Sequence, residues 1–130
     1  MPERAYTTPL IDKLGVRPGA RVSVLGVRDP AFRKLLHDRT DDVSERQRKH
    51  SDLIFLAADS HGELARLRAL EPLIQRDGAI WVVSRKGRAA ILRDLDVINA
   101  ARRAGLVDNK VVSFSETHTA LRLVVPTARR

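Results

Sequence analysis

The sequence predicts an α/β fold, namely a Rossmann-like three-layer sandwich with a mostly parallel sheet and an antiparallel C-terminal hairpin. Three observations predict it. Apolar strand patterns alternate with helical patterns, two of the strand patterns are apolar without interruption, and the last two are separated by only four residues, 116–119. Alternating strands and helices favour a parallel sheet covered on both faces, whereas two strands joined by so short a connection pair antiparallel.

The first part of the chain is expected to contain three strands and little helix. Residues 21–26 are rich in β-branched side chains and lie between two glycines, which predicts a first strand, and residues 32–36 have the spacing of a short helix. A brief second strand is expected around Val43. The continuously apolar run 52–58 is typical of a central strand that is buried on both faces.

A capping motif opens the next helix. Ser60 and Glu63 have the Ser-x-x-Glu spacing of a capping box, and apolar residues then recur at helical spacing as far as Ile74. Pro72 predicts a kink in the last turn, and Asp77-Gly78 is expected to end the helix.

The remainder of the chain predicts one more buried strand, one helix and the final hairpin. Residues 79–84 form an apolar strand pattern, and residues 91–104 have helical periodicity that Gly105 should terminate. Two strands, 110–115 and 120–125, then form the hairpin.

The organisation is that of one domain. We expect an N-terminal arm over residues 1–20 with a helical turn near 10–14, a single Rossmann-like domain over residues 21–126, and a C-terminal tail over 127–130. No uncharged apolar run approaches the roughly 18 residues that span a bilayer, and the start of the chain does not resemble a signal peptide. These features predict a cytoplasmic protein with no membrane partner.

Composition excludes several kinds of chemistry. The chain has no cysteine, which rules out disulfide frameworks, thiolate metal sites and thiol nucleophiles, and its four histidines are scattered, so no metal site is expected. The formal net charge of +8 favours acidic partners such as nucleotides, nucleic acid or acidic proteins.

Two segments carry a family resemblance. Residues 6–19 (YTTPLIDKLGVRPG), together with residues 105–111 (GLVDNKV) and the dipeptide Glu116-Thr117, resemble the bacterial domain of unknown function 3052 family. That resemblance implies no established biochemical role. More distantly, the order of elements resembles a trimmed class I S-adenosylmethionine-dependent methyltransferase, with residues 52–54 as its fourth strand and residues 71–81 as its passage into the fifth.

The sequence departs from the methyltransferase pattern after the first strand. Such enzymes are expected to place an acidic residue and several glycines there, so that the backbone can approach the cofactor. This chain has a single glycine, Gly26, followed by the bulky Arg28 and by Pro30, which has no backbone N–H. We therefore expect no catalytic residues and no bound cofactor, with S-adenosylmethionine as the alternative.

Candidate binding residues follow the strands at their carboxyl ends, where ligands bind in open α/β sheets. They form a candidate anion rim: Arg28, Asp59, Ser84, Arg85, Lys86 and Arg88. The alternative interpretation is that these are solvated charges on exposed loops. Glu116, Thr117 and His118 form the family-motif loop, which is either part of a site or a simple polar turn.

Asp41 and Asp42 could form a ribose-binding acidic pair at the end of the second strand, but without a glycine-rich loop nearby they are interpreted as a solvated turn. The leading functional hypothesis is a non-catalytic, methyltransferase-like domain that binds an anionic small molecule or a protein partner. The alternatives are an S-adenosylmethionine-dependent methyltransferase with a degenerate cofactor loop and a nucleic-acid-associated accessory protein.

Overall fold

The fold was analysed in a computed structural model, which describes residues 8–130. Its elements are α1 (Leu10–Lys13), β1 (Val22–Leu25), α2 (Pro30–Arg39), β2 (Val43–Ser44), β3 (Ser51–Ala57), α3 (His61–Leu64), α4 (Leu67–Leu70), β4 (Ile74–Arg85), α5 (Asp94–Arg103), β5 (Val107–Ser113) and β6 (His118–Val124). Short 3₁₀ turns occupy Glu71–Leu73, Gly87–Ala89 and Thr127–Arg129.

All six strands belong to one sheet with the order β2-β1-β3-β4-β6-β5. The first four strands are mutually parallel, whereas β6 runs antiparallel to both β4 and β5. The sheet is therefore mostly parallel with an antiparallel hairpin at one edge. This arrangement confirms the predicted Rossmann-like three-layer class.

The layers on the two faces enclose two separate cores. One core lies under α1 and α2, where Phe32 packs edge-on against Phe55, with ring centroids 4.9 Å apart, and against Phe114 at 5.0 Å. The second core lies under α3, α4 and α5 and includes Leu64, Leu67, Leu70 and Ile80. Most core residues lie on strands or helices at the spacing that the apolar patterns predict, and a few, such as Val16 and Val27, come from loops.

The helix α2 is longer than expected because both of its ends have strong local signals. Its N-terminus has Pro30 at the first position, and the Asp29 carboxylate accepts the backbone N–H of Phe32 at 3.1 Å. At the other end Thr40 is extended, and its hydroxyl donates to the carbonyl of Ala20 at 2.7 Å. The helix therefore covers residues 30–39 rather than 32–36.

The segment after β3 differs from the single kinked helix that was predicted. The capping box is present, since Ser60 Oγ accepts the Glu63 N–H at 3.1 Å, but the helix breaks into α3, α4 and a 3₁₀ turn that contains Pro72. Proline has no N–H for a continuing helical ladder, so the chain leaves the helix here. Ile74 begins β4 instead of ending the helix.

A bulge in β4 explains why Asp77-Gly78 lies within a strand instead of forming a turn. Ser51 pairs with Ile74 whereas Leu53 pairs with Ala79, so residues 75–78 form an irregular insertion beside β3. A Cβ atom placed on Gly78 would lie 2.6 Å from the carbonyl oxygen of Asp52. Only glycine permits this close approach of the two strands.

The predicted helix 91–104 begins three residues later than expected, at Asp94. Leu92 is buried, but Ile91 and Leu95 are 67% and 61% exposed, so the apolar periodicity at this end does not mark a core face. Gly105 follows the helix with φ +82°, which confirms the predicted terminating glycine.

The described part of the N-terminal arm packs into the first core. Ile11, Leu14 and Val16 are buried, and the indole Nε1–H of Trp81 donates to the carbonyl of Leu14 at 3.0 Å. The division into arm, domain and tail stays a prediction, and the first seven residues lie outside the described part. Within residues 8–130, no helix has the length and apolar character needed to cross a bilayer.

Candidate functional site

A cleft of about 460 Å³ lies at the carboxyl ends of the parallel strands. Gly26 follows β1, Ala57 ends β3 and Val83 belongs to β4, and these small or medium side chains form its floor. In the strand order β2-β1-β3-β4, the connection after β1 leads to β2 on one side and the connection after β3 leads to β4 on the other side, so the direction of the connections reverses between β1 and β3. Ligands of open α/β sheets bind at such a switch point.

The loop from β1 to α2 forms one wall of the cleft. Gly26 adopts φ +85°, and a Cβ atom built on it would lie 3.3 Å from the Cβ of Ala57, so this turn requires glycine. Arg28, Asp29 and Pro30 continue the wall. Because the Asp29 carboxylate already caps α2, the N-terminus of that helix is partly satisfied before any ligand binds.

The β5–β6 hairpin forms the opposite wall through Phe114, Thr117 and His118. The Thr117 hydroxyl and His118 Nδ1 are 2.7 Å apart, and the backbone N–H groups of both residues donate to Ser115 Oγ at 3.3 and 3.1 Å. The Lys86 N–H in turn donates to the Thr117 carbonyl at 3.0 Å. The hairpin tip is thus held against the end of β4 in a defined orientation.

The charges around the cleft are only partly compensated. Asp59 Oδ1 accepts the backbone N–H of Arg85 at 2.8 Å, and its other oxygen lies 3.7 Å from Arg85 Nε. The carboxylate of Asp59 therefore offsets the charge of Arg85. Arg28 is exposed and has no ion-pair or hydrogen-bond partner for its guanidinium group among residues 8–130.

The structure brings together residues from both predicted groups. Arg28, Asp59 and Arg85 of the candidate anion rim line the same cleft as Thr117 and His118 of the family-motif loop.

The remaining members of the two groups lie outside the lining. Ser84 is buried within β4, and Glu116 is exposed at the hairpin tip. Lys86 Nζ donates to Ser113 Oγ at 2.7 Å, and Arg88 lies on the exposed turn that follows. A ligand in the cleft would therefore contact three residues of the candidate anion rim, namely Arg28, Asp59 and Arg85. The assignment of the anion rim and the family-motif loop to a binding site stays a prediction.

Asp41 and Asp42 do not lie at the carboxyl end of β2, which is where a ribose-binding acidic pair is expected. Asp41 and Asp42 precede β2 and lie at its amino end, opposite to the cleft. Hydrogen bonds from Arg48 and then Arg21 hold the pKa of Asp42 below its usual value, so its carboxylate has a structural role. This placement is consistent with a turn rather than a ribose site.

Sequence reasoning missed two residues near the carboxyl ends of the strands: Phe114, which lines the cleft, and Glu45, which is not among its lining residues. Glu45 directly follows the carboxyl end of β2 and forms an ion pair with Arg33 of α2. Phe114 closes the far wall although its pattern indicated only a core position. Only the position of the carboxyl end of β2 points to Glu45. A strand of two residues has too short a sequence pattern to locate that end. Within residues 8–130, no three His, Asp or Glu side chains are grouped to hold a metal ion.

Several solved structures with a similar fold are methyltransferases. A SAM-dependent methyltransferase from Aquifex aeolicus superposes with a TM-score of 0.65 at 14% identity, covering 89% of this chain and 88% of that one. A proposed type 11 methyltransferase from Sulfolobus solfataricus gives 0.66 at 14% identity, covering 95% and 92%. Magnesium protoporphyrin IX methyltransferase from Synechocystis, solved with bound SAM, gives 0.62 at 14%, covering 89% and 74%.

At these identities the likeness establishes the methyltransferase-like fold, and not an activity. Comparison of the sequence with curated proteins finds no match. The family described as "Protein of unknown function (DUF3052)" matches residues 12–127, which is most of the chain. The protein is therefore a member of the DUF3052 family with a methyltransferase-like Rossmann fold.

Proposed function

We propose that this protein is a non-catalytic domain that binds an anionic small molecule in the cleft at the carboxyl edge of its sheet. The observation that carries this proposal is the guanidinium of Arg28, which lies in the wall of a switch-point cleft and has no ion-pair partner among residues 8–130. A guanidinium binds phosphate or carboxylate oxygens through two parallel N–H donors. The volume of about 460 Å³ lies within the range of small-molecule sites, about 300–1,000 Å³.

Both walls of the cleft contribute features of a ligand site. Phe114 and Val83 offer apolar surface, which suits the uncharged part of a ligand. Thr117 and His118 offer polar atoms on the opposite side from Arg28. An anionic group at Arg28 and a ring or chain lying towards the hairpin would therefore use both walls.

The residues of the β1–α2 loop fit S-adenosylmethionine poorly. Gly26 is left-handed and permits one close backbone approach, which is the feature that favours a methyltransferase. Arg28 and Pro30 oppose this interpretation, because a long side chain and a missing N–H occupy the positions where a cofactor would need bare backbone. We therefore place the methyltransferase second and propose no transfer step.

A ligand screen tests the proposal and separates it from the methyltransferase. The panel consists of S-adenosylmethionine, S-adenosylhomocysteine, nucleotides, phosphosugars and short DNA, with the melting midpoint as the readout. A ligand at about 100 times its Kd stabilises the folded state by about 2.7 kcal/mol, which should raise the midpoint by several degrees. We expect phosphate-bearing small molecules to produce that shift.

Matched variants assign the effect to the cleft. Arg28→Gln should reduce affinity about tenfold or more, because a hydrogen bond to a charged group contributes about 1.5–3 kcal/mol. Arg88→Gln is the control, since Arg88 is exposed and does not line the cleft. Stabilisation by the adenosyl compounds alone would replace our proposal with the methyltransferase. If no small molecule shifts the midpoint, the anion site is wrong, and a protein partner becomes the interpretation to pursue.

A further inference from the structure

A second pocket lies at the amino ends of the parallel strands, at the opposite end of the sheet from the cleft, and is called the amino-edge pocket here. Its volume is about 390 Å³, and it is enclosed by the loop after α1, the start of β3, the bulge of β4 and the end of β6. The two cavities share no lining residue. Four charged side chains line this amino-edge pocket: Arg17, Asp52, Asp77 and Arg122.

Two arginines that line the amino-edge pocket, Arg17 and Arg122, have no carboxylate partner among residues 8–130. Arg122 is half-buried, and burial, together with the nearby charge of Arg130, lowers the pKa of its guanidinium. Lys110 lies directly opposite Arg122 in the β5–β6 register, and like charges in such positions destabilise a sheet. No carboxylate of residues 8–130 forms an ion pair with Arg17, Lys110 or Arg122. An anionic group bound here would relieve this crowding.

Two carboxylates, Asp52 and Asp77, line the same pocket and have free acceptor capacity. Asp52 accepts one hydrogen bond at this edge, from the backbone N–H of Arg21 at 2.9 Å. Asp77 lies on the β4 bulge, is exposed, and has no hydrogen-bond or ion-pair partner among residues 8–130. A carboxylate offers about four lone-pair directions, so these two carboxylates can accept several N–H donors.

The arginines and the carboxylates that line the pocket do not form ion pairs with each other. None of the four charged side chains comes within ion-pair distance of another, although they line a single pocket. A simple anion would pair only with the arginines and would be repelled by the two carboxylates. A ligand that carries both a positive and a negative charge would satisfy the arginines and the carboxylates together.

We propose that the amino-edge pocket binds a small zwitterion, namely an α-amino acid or a molecule with an amino-acid head group. Its carboxylate contacts Arg17 and Arg122, and its ammonium contacts Asp52 and Asp77. The rest of the ligand extends towards the open side of the pocket. This site is independent of the anion site in the cleft, because the two lie at opposite edges of the sheet.

Amide chemical shifts of the ¹⁵N-labelled full chain test the proposal. Gly15, Gly19 and Gly78 line the amino-edge pocket, whereas Gly26 lines the cleft, so glycine signals report the two sites separately. The first probe is an equimolar mixture of the neutral L-amino acids. We expect the three pocket glycines to shift and Gly26 to stay in place. If none of the three pocket glycines shifts, the proposal is wrong.

Analogues and variants then test the charge pairing. The strongest-binding amino acid is compared with its deaminated acid and its decarboxylated amine, both of which should bind at least about tenfold more weakly. Asp77→Asn should weaken binding of the amino acid without weakening binding of the acid, and Arg122→Gln should weaken both. Arg17→Gln, at an exposed position, replaces Arg122→Gln if that variant does not fold. Arg88→Gln is the control that should change nothing, because Arg88 is exposed and lines neither cavity. Equal affinity for the acid and the amino acid would overturn the zwitterion assignment.

Discussion

Replacing Trp81 with phenylalanine should destabilise the protein by about 2–4 kcal/mol. Trp81 is fully buried at the centre of β4, and its indole N–H donates to the Leu14 carbonyl at 3.0 Å. Phenylalanine is about 40 Å³ smaller, which at about 24 cal/mol per Å³ of cavity corresponds to about 1 kcal/mol. The substitution also leaves the Leu14 carbonyl without its buried partner, at a cost of about 1–3 kcal/mol.

The assay is urea denaturation followed by far-UV circular dichroism, because the variant lacks the only tryptophan. Phe55→Leu is the matched control: Phe55 is the register neighbour of Trp81 in β3 and is equally buried, so this change creates a cavity without removing a hydrogen bond. Hydrogen exchange of residues 10–20 in Trp81→Phe should also rise. Equal losses of stability in the two variants, with unchanged exchange of residues 10–20, would refute the role assigned to the indole hydrogen bond.

Three further predictions concern local contacts. Gly78→Ala should cost about 1–3 kcal/mol in denaturant titrations, because its Cβ would lie 2.6 Å from the Asp52 carbonyl oxygen. Ser60→Ala should cost about 1 kcal/mol, because it removes the cap of α3. Hydrogen bonds from Arg48 depress the pKa of Asp42, so the stability it provides is present above its unfolded pKa and is lost as the pH falls through the folded pKa. The melting midpoint should therefore fall less in Asp42→Asn than in the wild type when the pH is lowered through that acid range.

Each of these predictions has a control or a contradicting result. Gly62→Ala is the control for Gly78→Ala, since a Cβ at this helical position meets only Ser60 Oγ at 3.9 Å and alanine favours a helix. Stability unchanged by Ser60→Ala would mean that the capping box is not needed for α3. An acid profile for Asp42→Asn that matches the wild type would show that its ion pairs do not contribute to acid sensitivity.

The fold was predictable because its main signals are local. The apolar runs of β3 and β4 and the short connection before β6 determine a parallel sheet with an antiparallel edge, whatever the details of the loops. The β4 bulge was not predictable in the same way. In sequence, Asp77-Gly78 indicates the end of a helix, and only pairing with β3 shows that residues 75–78 belong to an irregular strand.

The candidate site was predictable in its parts but not in its assembly. The rule that ligands bind beyond the carboxyl ends of parallel strands identified Arg28, Asp59 and Arg85. The presence of Thr117 and His118 in the same cleft depends on the register between β4 and β6, in which Arg85 pairs with His118. Asp59 compensates the charge of Arg85 through a side-chain contact, which the spacing of the two residues in the sequence does not reveal.

The most direct test of the central claim is to map amide chemical shifts while the ligand panel is added to the ¹⁵N-labelled protein. Binding in the cleft predicts that a phosphate-bearing small molecule shifts the amides of Gly26, Val83 and Thr117 together, and that Arg28→Gln removes those shifts. Shifts confined to other surfaces, or an unchanged response in Arg28→Gln, would contradict an anion-binding cleft at the carboxyl edge of the sheet.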